Sequence, residues 1–264
     1  MKTIRSILGF INYRFKSKTK YGVHSPFVFE FITKVLEDKT YYVSYNKVAE
    51  LRKRLLNNKN VIEIVDFGAG AGPAGYRTQL EKVQSIARRS SITPKEGQLL
   101  HRIVKYFQPE IMLELGTSLG ISSMYEVSGS PESFFIGMEG CATTAAIAEQ
   151  NLSKLIDRDN YSIVIGNFNN MLPGVLQKLE MVDYVFIDGN HAYKPTMNYF
   201  NQLLPYFHEN SVLILHDIHW SADMEEAWKE IKEDEKVSIT LDLFSMGIVF
   251  FRKGLPKQDF IIRF

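Results

Sequence analysis

The sequence has few of the features that define several large protein classes. Its 264 residues contain one cysteine, Cys141, which excludes an intramolecular disulfide framework and leads us to expect a cytoplasmic protein. The 31 basic and 30 acidic residues leave a formal net charge of +1, so no general positive field indicates nucleic-acid binding, and we expect none. No apolar run approaches the roughly 20 residues that a membrane-spanning helix requires.

The first twenty residues lack acidic side chains altogether. Their basic residues are Lys2, Arg5, Arg14, Lys16, Lys18 and Lys20. Their apolar residues at helical spacing are Ile4, Ile7, Leu8, Ile11 and Phe15. Such a helix either lies on an anionic membrane surface, as a peripheral contact, or caps the rest of the protein, and both interpretations remain open. The apolar stretch is interrupted and no small-residue cleavage site follows, which argues against a signal peptide.

From Thr93 onward, short apolar runs alternate with helical patterns, which is typical of βαβ units and a buried parallel sheet. The runs that predict parallel strands are 111–115, 134–139, 161–165, 183–188 and 211–216. Two later runs, 237–244 and 247–252, are so close in sequence that they have to pair antiparallel.

We therefore predict an α/β fold, a Rossmann-like, doubly wound sheet of seven strands. Most strands are parallel and the C-terminal hairpin is antiparallel. This domain is expected over residues 93–264. Residues 1–92 are expected to form a helical N-terminal extension that acts as a lid over a ligand pocket.

Two glycine-containing segments, 66–72 and 114–120, are candidates for a nucleotide-binding loop. Glycines at a strand-to-helix turn let backbone N–H groups approach a ligand. Only the second segment is followed by a helix and then by a strand that ends in an acid, Glu139, at the distance that a ribose diol requires. We therefore place the cofactor at 114–120 and interpret 66–68 as a structural turn or a lid.

At this point the region from Thr93 to Phe251 resembles the class I S-adenosylmethionine-dependent methyltransferases. The family's first motif, an acid followed by two spaced glycines, matches Glu114, Gly116 and Gly120, and its ribose-binding acid matches Glu139. The closing antiparallel hairpin is a family hallmark. The resemblance implies S-adenosylmethionine as cofactor. The cofactor-binding residues that it implies are Glu114, Gly116, Thr117, Ser118, Gly120, Glu139, Gly140, Asn167 and Asp188.

On the acceptor side, Asp188 and Asp217 follow the fourth and fifth strands, whose carboxyl ends are neighbours in an open α/β sheet. The pattern resembles metal-dependent O-methyltransferases of the catechol type and, more closely, their sugar O-methyltransferase relatives. That resemblance implies Asp188 and His191 as catalytic residues and a divalent metal, Mg²⁺ or Mn²⁺, on Asp188 and Asp217. Two departures put the metal in doubt: His216 replaces an acid, and Ile218 replaces the asparagine of the catechol type.

The resemblance implies an enzyme that O-methylates a small-molecule hydroxyl. One alternative is an NAD-type oxidoreductase, although the loop lacks the G-x-G-x-x-G spacing and the hairpin would be unexplained. The other is a catalytically silent cofactor-binding scaffold, against which the intact Glu139, Asp188 and His191 argue. A homo-oligomer is compatible with the sequence.

Overall fold

The structure is a computed structural model that describes residues 2–68 and 75–264, with side chains from Ile7 onward. The α-helices of these residues are α1 Lys2–Lys16, α2 Pro26–Phe31, α3 Ser44–Asn57, α4 Val83–Arg89, α5 Pro94–Phe107, α6 Ile121–Gly129, α7 Ala142–Leu152, α8 Phe168–Leu176, α9 Tyr193–Leu203 and α10 Ala222–Glu233. The strands are β1 Val61–Asp66, β2 Arg77–Lys82, β3 Ile111–Leu115, β4 Phe134–Glu139, β5 Tyr161–Ile165, β6 Val182–Ile187, β7 Phe207–His216, β8 Ile239–Asp242, β9 Met246–Phe250 and β10 Gln258–Ile261.

The chain divides into two compact units, which we call the central unit (residues 37–171) and the terminal unit (residues 1–36 and 172–264). The central unit contributes β3, β4 and β5 to the main sheet, in that order and all parallel. These strands form from apolar runs because helices cover both faces of a parallel sheet. The unit also contains a separate antiparallel hairpin of β1 and β2.

The terminal unit contributes five strands in the order β10-β8-β9-β7-β6. Strands β6 and β7 are parallel, whereas β9 pairs antiparallel with both β7 and β8. Helix α1 is attached to the last strand, because the Tyr13 hydroxyl donates to the Ile262 carbonyl at 2.6 Å and Lys18 forms a parallel bridge with Ile262. The ends of the described chain therefore meet in this unit.

The predicted α/β class, the mostly parallel sheet and the antiparallel hairpin of β8 and β9 are confirmed. The predicted number of seven strands is wrong, because the main sheet has eight. The additional strand, β10, has only four residues and pairs parallel with β8. So short a strand with a polar, partly exposed face leaves little periodicity to detect.

Residues 1–92 contain α1 to α4 and also the β1–β2 hairpin, so helices make up only part of this segment. The domain boundary at 92/93 and the lid role of 1–92 stay predictions. Of the first glycine segment, residues 69–72 lie outside the described residues. Among the helices of the described residues, none is both long and apolar enough to cross a membrane.

Candidate functional site

The loop that follows β3 is shaped by left-handed backbone conformations. Gly116 has φ 109° and Ser118 has φ 48°, and both lie in the region that favours glycine. The N–H groups of Gly116 and Thr117 donate to the Met138 carbonyl at 2.9 and 3.1 Å. These two hydrogen bonds hold the loop against the end of β4, where the predicted ribose acid lies.

Gly120 is the N-cap residue of α6, and glycine is favoured there for two reasons. Its φ of 80° is strained for other residues, and a Cβ at this position would lie 3.1 Å from Cα of Ala148 in α7. Its own N–H donates to the Thr117 carbonyl at 2.8 Å, which closes the turn. The predicted spacing of two glycines therefore corresponds to a tight turn with a close helix contact.

Glu114 is a fully buried carboxylate near the end of β3, with 0% exposure. It accepts hydrogen bonds from the hydroxyls of Ser122 and Ser123, in the first turn of α6. A buried carboxylate is costly unless it is hydrogen-bonded, so these serines stabilise it. Glu114 thus fixes α6 to β3 and holds the loop between them.

Glu139 lies at the end of β4 and binds both sides of the site. One carboxylate oxygen accepts the N–H of Ser118 at 2.7 Å, and the other accepts the N–H of Cys141 at 2.9 Å and the hydroxyl of Thr144 at 3.1 Å. Burial raises the pKa of the Glu139 carboxyl above its ordinary value, and these donors oppose that shift. The predicted ribose acid is thus held in place by the loop and by α7.

The β1–β2 hairpin reaches the same corner through Phe67. A Cβ on Gly140 would lie 2.7 Å from the Phe67 ring, so the ring packs directly on the glycine. The Cys141 sulfur lies 3.9 Å from the Glu63 carbonyl oxygen in β1. Residues 66–68, expected to be a turn or a lid, therefore cover the Glu139–Cys141 turn.

Asn167 lies in the turn after β5. The preceding residue, Gly166, has φ 141°, and its N–H donates to the Glu139 carbonyl at 2.9 Å. The Asn167 side-chain oxygen accepts the N–H of Asn169 at 2.9 Å, at the start of α8. The central unit therefore brings the predicted cofactor residues from Glu114 to Asn167 together at the carboxyl ends of three adjacent strands.

A second cluster lies in the terminal unit, in the loops after β6 and β7. Asp188 Oδ1 lies 3.0 Å from His216 Nδ1 and 3.5 Å from His191 Nε2. Asp217 Oδ2 lies 3.6 Å from His216 Nδ1 and 3.8 Å from His191 Nε2. The structure thus brings the predicted Asp188, His191 and Asp217 together, with His216 as a fourth member. We call these four residues the Asp–His cluster.

The backbone of the Asp–His cluster is left-handed at two residues that are not glycine. Asn190 has φ 61° and Asp217 has φ 58°. Asparagine and aspartate tolerate this region better than most residues, and such conformations concentrate at functional sites. The Asp217 N–H donates to the Ser245 carbonyl at 2.6 Å, which fixes the second loop to the β8–β9 turn.

The donors of the Asp–His cluster fit the predicted metal poorly. Within residues 2–68 and 75–264, no group of three or more His, Cys, Asp or Glu side chains is arranged to hold a metal ion. Imidazole nitrogens of His191 and His216 lie within 4 Å of both carboxylates. The metal on Asp188 and Asp217 stays a prediction.

Sequence reasoning missed a pair next to the Asp–His cluster. His219 Nε2 lies 2.8 Å from Asp242 Oδ2, and its Nδ1 lies 3.5 Å from Glu225 Oε1. Burial alone lowers the pKa of His219, but these carboxylates outweigh it and raise the pKa above its ordinary value. The only signal in the sequence was an acid at the end of the apolar run Ile-Thr-Leu-Asp.

Comparison with known proteins finds a similarity in the segment that carries these residues. Residues 113–218 match the family model described as a methyltransferase domain. The matched methyltransferase segment begins in β3 and ends just after β7, so it contains both the Gly116–Gly120 loop and the Asp–His cluster.

Individual relatives are distant in sequence. Catechol O-methyltransferase of Mus musculus is 26% identical over 125 residues, which cover 45% of this chain and 47% of that protein. The chain thus matches about half the length of this curated relative.

Solved structures share the methyltransferase fold over more of the chain. An O-methyltransferase from Bacillus cereus, in complex with SAH, is 17% identical with a TM-score of 0.55, covering 84% of this chain and 96% of its own. The SAH-bound methyltransferase PaMTH1 of Podospora anserina is 13% identical with a TM-score of 0.58, covering 88% and 100%. At these identities the likeness shows the fold.

Proposed function

We propose that the protein transfers a methyl group from S-adenosylmethionine to the hydroxyl oxygen of a small molecule. The observation that carries this proposal is the loop after β3, whose Ser118 N–H is bound to Glu139 at 2.7 Å. A tight glycine turn beside a fixed acid, at the carboxyl ends of parallel strands, suits an adenosyl ligand. The structures of similar fold include two O-methyltransferases described in complex with SAH or SAM.

The cofactor-binding residues in this proposal are those that the sequence resemblance implied. They are Glu114, Gly116, Thr117, Ser118, Gly120, Glu139, Gly140, Asn167 and Asp188. Glu139 binds the ribose hydroxyls in place of some of its internal donors. Glu114 acts indirectly, since its carboxylate is bound by Ser122 and Ser123 and positions the loop.

The reaction requires a base as well as a methyl donor. The acceptor oxygen forms a bond to the methyl carbon while the carbon–sulfur bond breaks, so the sulfonium becomes the neutral thioether of S-adenosylhomocysteine. We assign the hydroxyl proton to His191 Nε2. Asp188 and Asp217, at 3.5 and 3.8 Å from that nitrogen, stabilise the imidazolium that forms.

In an alternative form of the proposal, the reaction is assisted by a divalent metal, Mg²⁺ or Mn²⁺. Asp188 and Asp217 would hold it, and when bound it would lower the pKa of the acceptor hydroxyl. The arrangement of imidazoles between the two carboxylates favours the form in which His191 acts as the base. Methyl transfer that survives EDTA would support this form, and activity restored only by Mn²⁺ or Mg²⁺ would contradict it.

Calorimetry with S-adenosylmethionine, S-adenosylhomocysteine and NAD tests the cofactor. We expect heat from the first two, and Glu139→Ala to weaken binding about 10- to 100-fold, the usual loss when hydrogen bonds to a charged group disappear. The matched control is Glu132→Ala, because Glu132 is an exposed acid that makes no cofactor contact in this proposal. Heat from NAD alone would instead favour the oxidoreductase.

Turnover is tested separately, by measuring S-adenosylhomocysteine formation with a panel of phenols, catechols and sugars. Product with any hydroxylated acceptor supports O-methylation. Tight cofactor binding without product across the panel would favour the catalytically silent scaffold. The cytoplasmic location stays an expectation from the single cysteine.

Helix α1 carries a second, independent proposal, a peripheral contact with an anionic membrane. Its apolar residues Ile7, Leu8 and Phe15 are 54%, 61% and 86% exposed, on one side of the helix. The opposite side is anchored by Tyr13. The helix has no acidic residue, and Arg14 and Lys16 are exposed, which suits a negatively charged surface.

Sedimentation with vesicles tests this contact. We expect binding to phosphatidylglycerol vesicles but not to phosphatidylcholine vesicles, and loss of binding in Phe15→Asp. The control is Val43→Asp, a residue outside α1 that is 72% exposed. If Phe15→Asp instead converted a dimer to a monomer in light scattering, the face would be a homo-oligomer interface and the membrane proposal would be wrong.

A further inference from the structure

The central unit contains a cavity that neither proposal above uses. Its volume is about 510 Å³, within the range of small-molecule sites. Residues of α3, α4, α5 and α6 line it together with Tyr41. None of the proposed cofactor-binding or base residues is among them. The cavity therefore requires an explanation of its own.

The charges that line the cavity have one sign. Arg52, Lys53 and Arg88 line it, and no Asp or Glu does. Arg52 is oriented by a hydrogen bond from Nη1 to the Ile92 carbonyl at 2.6 Å. In the described part of the chain, neither Lys53 nor Arg88 forms an ion pair, whereas the adjacent Arg89 is paired with Glu81 at 2.7 Å. Three cations converge without an acidic partner on the cavity wall.

The wall between these cations is aromatic and largely buried. Tyr45 and Tyr125 are 6% and 2% exposed, and their rings meet edge to face at 6.1 Å. The Tyr125 ring fits only because residue 97 is glycine, where a Cβ would lie 2.2 Å from it. The space beside Tyr125 thus depends on the absence of a side chain in α5.

Tyr125 lines the cavity, and its hydroxyl has no hydrogen-bond partner among the described residues. A phenol hydroxyl both donates and accepts hydrogen bonds, so this group is available to a ligand in the cavity. Arg52 is close enough to favour the ionised form of Tyr125, although burial dominates and raises its pKa. A phenol and a guanidinium therefore face the same space.

We propose that this cavity binds a small aromatic anion, a carboxylate or phosphate attached to a planar ring. Guanidinium groups bind both anions with paired N–H donors, and the tyrosine rings provide a flat apolar surface for the ring of the ligand. The Tyr125 hydroxyl donates to the anionic group. The site is separate from the loop after β3 and does not depend on the proposed methyl transfer.

Calorimetry on the full chain tests the proposal with four probes: benzoate, phenyl phosphate, inorganic phosphate and benzyl alcohol. We expect saturable binding of benzoate or phenyl phosphate, at least tenfold tighter than binding of benzyl alcohol, and the preferred probe identifies the anion. Inorganic phosphate should bind at least tenfold more weakly than phenyl phosphate. Equal binding of the two phosphates would overturn the assignment of the ring, and no saturable binding of either aromatic anion would overturn the site.

Single-residue variants test whether the preferred probe binds in this cavity. Arg88→Gln changes an exposed side chain, so it should fold normally and weaken the preferred probe at least tenfold. Tyr125→Phe should weaken it several-fold by removing only the hydroxyl. The matched control is Arg54→Gln, an exposed cation of the same helix as Arg52 that does not line the cavity. An equal loss in Arg54→Gln and Arg88→Gln would mean non-specific attraction to surface charge and would overturn the proposal.

Discussion

The loop after β3 is built mainly from backbone, whereas the Asp–His cluster is built from titratable side chains. Gly116 and Gly120 owe their positions to left-handed φ values and to backbone hydrogen bonds that do not change with pH. In the Asp–His cluster, each of the two carboxylates lies within 4 Å of both imidazoles. The difference fits two tasks, since binding a cofactor needs fixed donors and proton transfer needs groups that change charge.

Two histidines outside these sites also differ between the units, in the direction of their pKa shifts. His101 in the central unit is buried, and burial lowers its pKa to about 4. Its Nδ1 lies 2.9 Å from the Ser128 hydroxyl. His219 in the terminal unit is also desolvated, yet Asp242 and Glu225 raise its pKa. The pKa of the same side chain is thus lowered by burial in one unit and raised by neighbouring carboxylates in the other.

The largest effect is expected for the proposed base. His191→Asn should lower kcat about 10²- to 10⁴-fold, the usual contribution of a general base, while leaving S-adenosylhomocysteine affinity nearly unchanged. His208→Asn is the matched control, because this histidine pairs with Asp183 at 2.8 Å instead. Loss of cofactor affinity with retained kcat would mean that His191 binds the cofactor and is not the base. Steady-state kinetics with calorimetry measures both.

The next effect concerns the loop after β3. Gly120→Ala should weaken S-adenosylhomocysteine binding about 100-fold, because the new Cβ meets Ala148 and the φ of 80° is strained. Gly174→Ala, in α8, meets no atom within 4 Å and should be neutral or slightly stabilising. Calorimetry and thermal unfolding compare the two variants. Equal affinity in both would show that the loop does not bind the cofactor.

The lowered pKa of His101 predicts that the stability of the central unit falls in acid. Its folded pKa of about 4 lies below the ordinary value of 6.5, so the unfolded state binds more protons between these values. Its contribution to stability is present above pH 6.5 and is lost as the pH falls through 4. From pH 7 to pH 5 this group should lower the free energy of unfolding by about 2 kcal/mol. Urea unfolding at both pH values measures this difference in the free energy of unfolding. It should be absent in His101→Gln, and an unchanged difference would mean that other groups cause it.

The smallest effect, of opposite sign, is expected for His219. Its folded pKa is raised, so its stabilising contribution is present below the ordinary value of 6.5 and is lost as the pH rises through the folded pKa. His219→Gln should cost about 1 kcal/mol at pH 6 and less at pH 9, as for a partly exposed charge-assisted hydrogen bond. Denaturation at both values measures this, and a larger cost at pH 9 would contradict the assigned charge.

The sequence was informative wherever a pattern is local. Buried parallel strands appear as apolar runs, and the spacing from Glu114 to Gly120 and on to Glu139 lies within one βαβ unit. Strand β2, Arg-Thr-Gln-Leu-Glu-Lys, was missed because it carries one apolar residue and pairs only with β1. Strand β10 was missed because four residues are too few for a period.

Some contacts between residues that are distant in sequence could not be predicted from the sequence. His219 and Asp242 are 23 residues apart and meet only because β9 pairs with both β7 and β8. The packing of Tyr125 on Gly97 depends on how α5 and α6 cross, which no single pattern encodes. The adjacency of Asp188 and Asp217 was predictable, because carboxyl ends of neighbouring parallel strands share an edge.

Cys141 has a practical consequence as the single thiol of the chain. It is 3% exposed, with its sulfur 3.9 Å from the Glu63 carbonyl and its N–H bound to Glu139. A thiol reagent can reach it only when β1 moves away from the start of α7, so the labelling rate measures that local opening. A ligand that holds this corner closed would slow the labelling. The wild-type chain thus carries its own chemical footprinting probe of the proposed adenosyl site, and no engineered cysteine is needed.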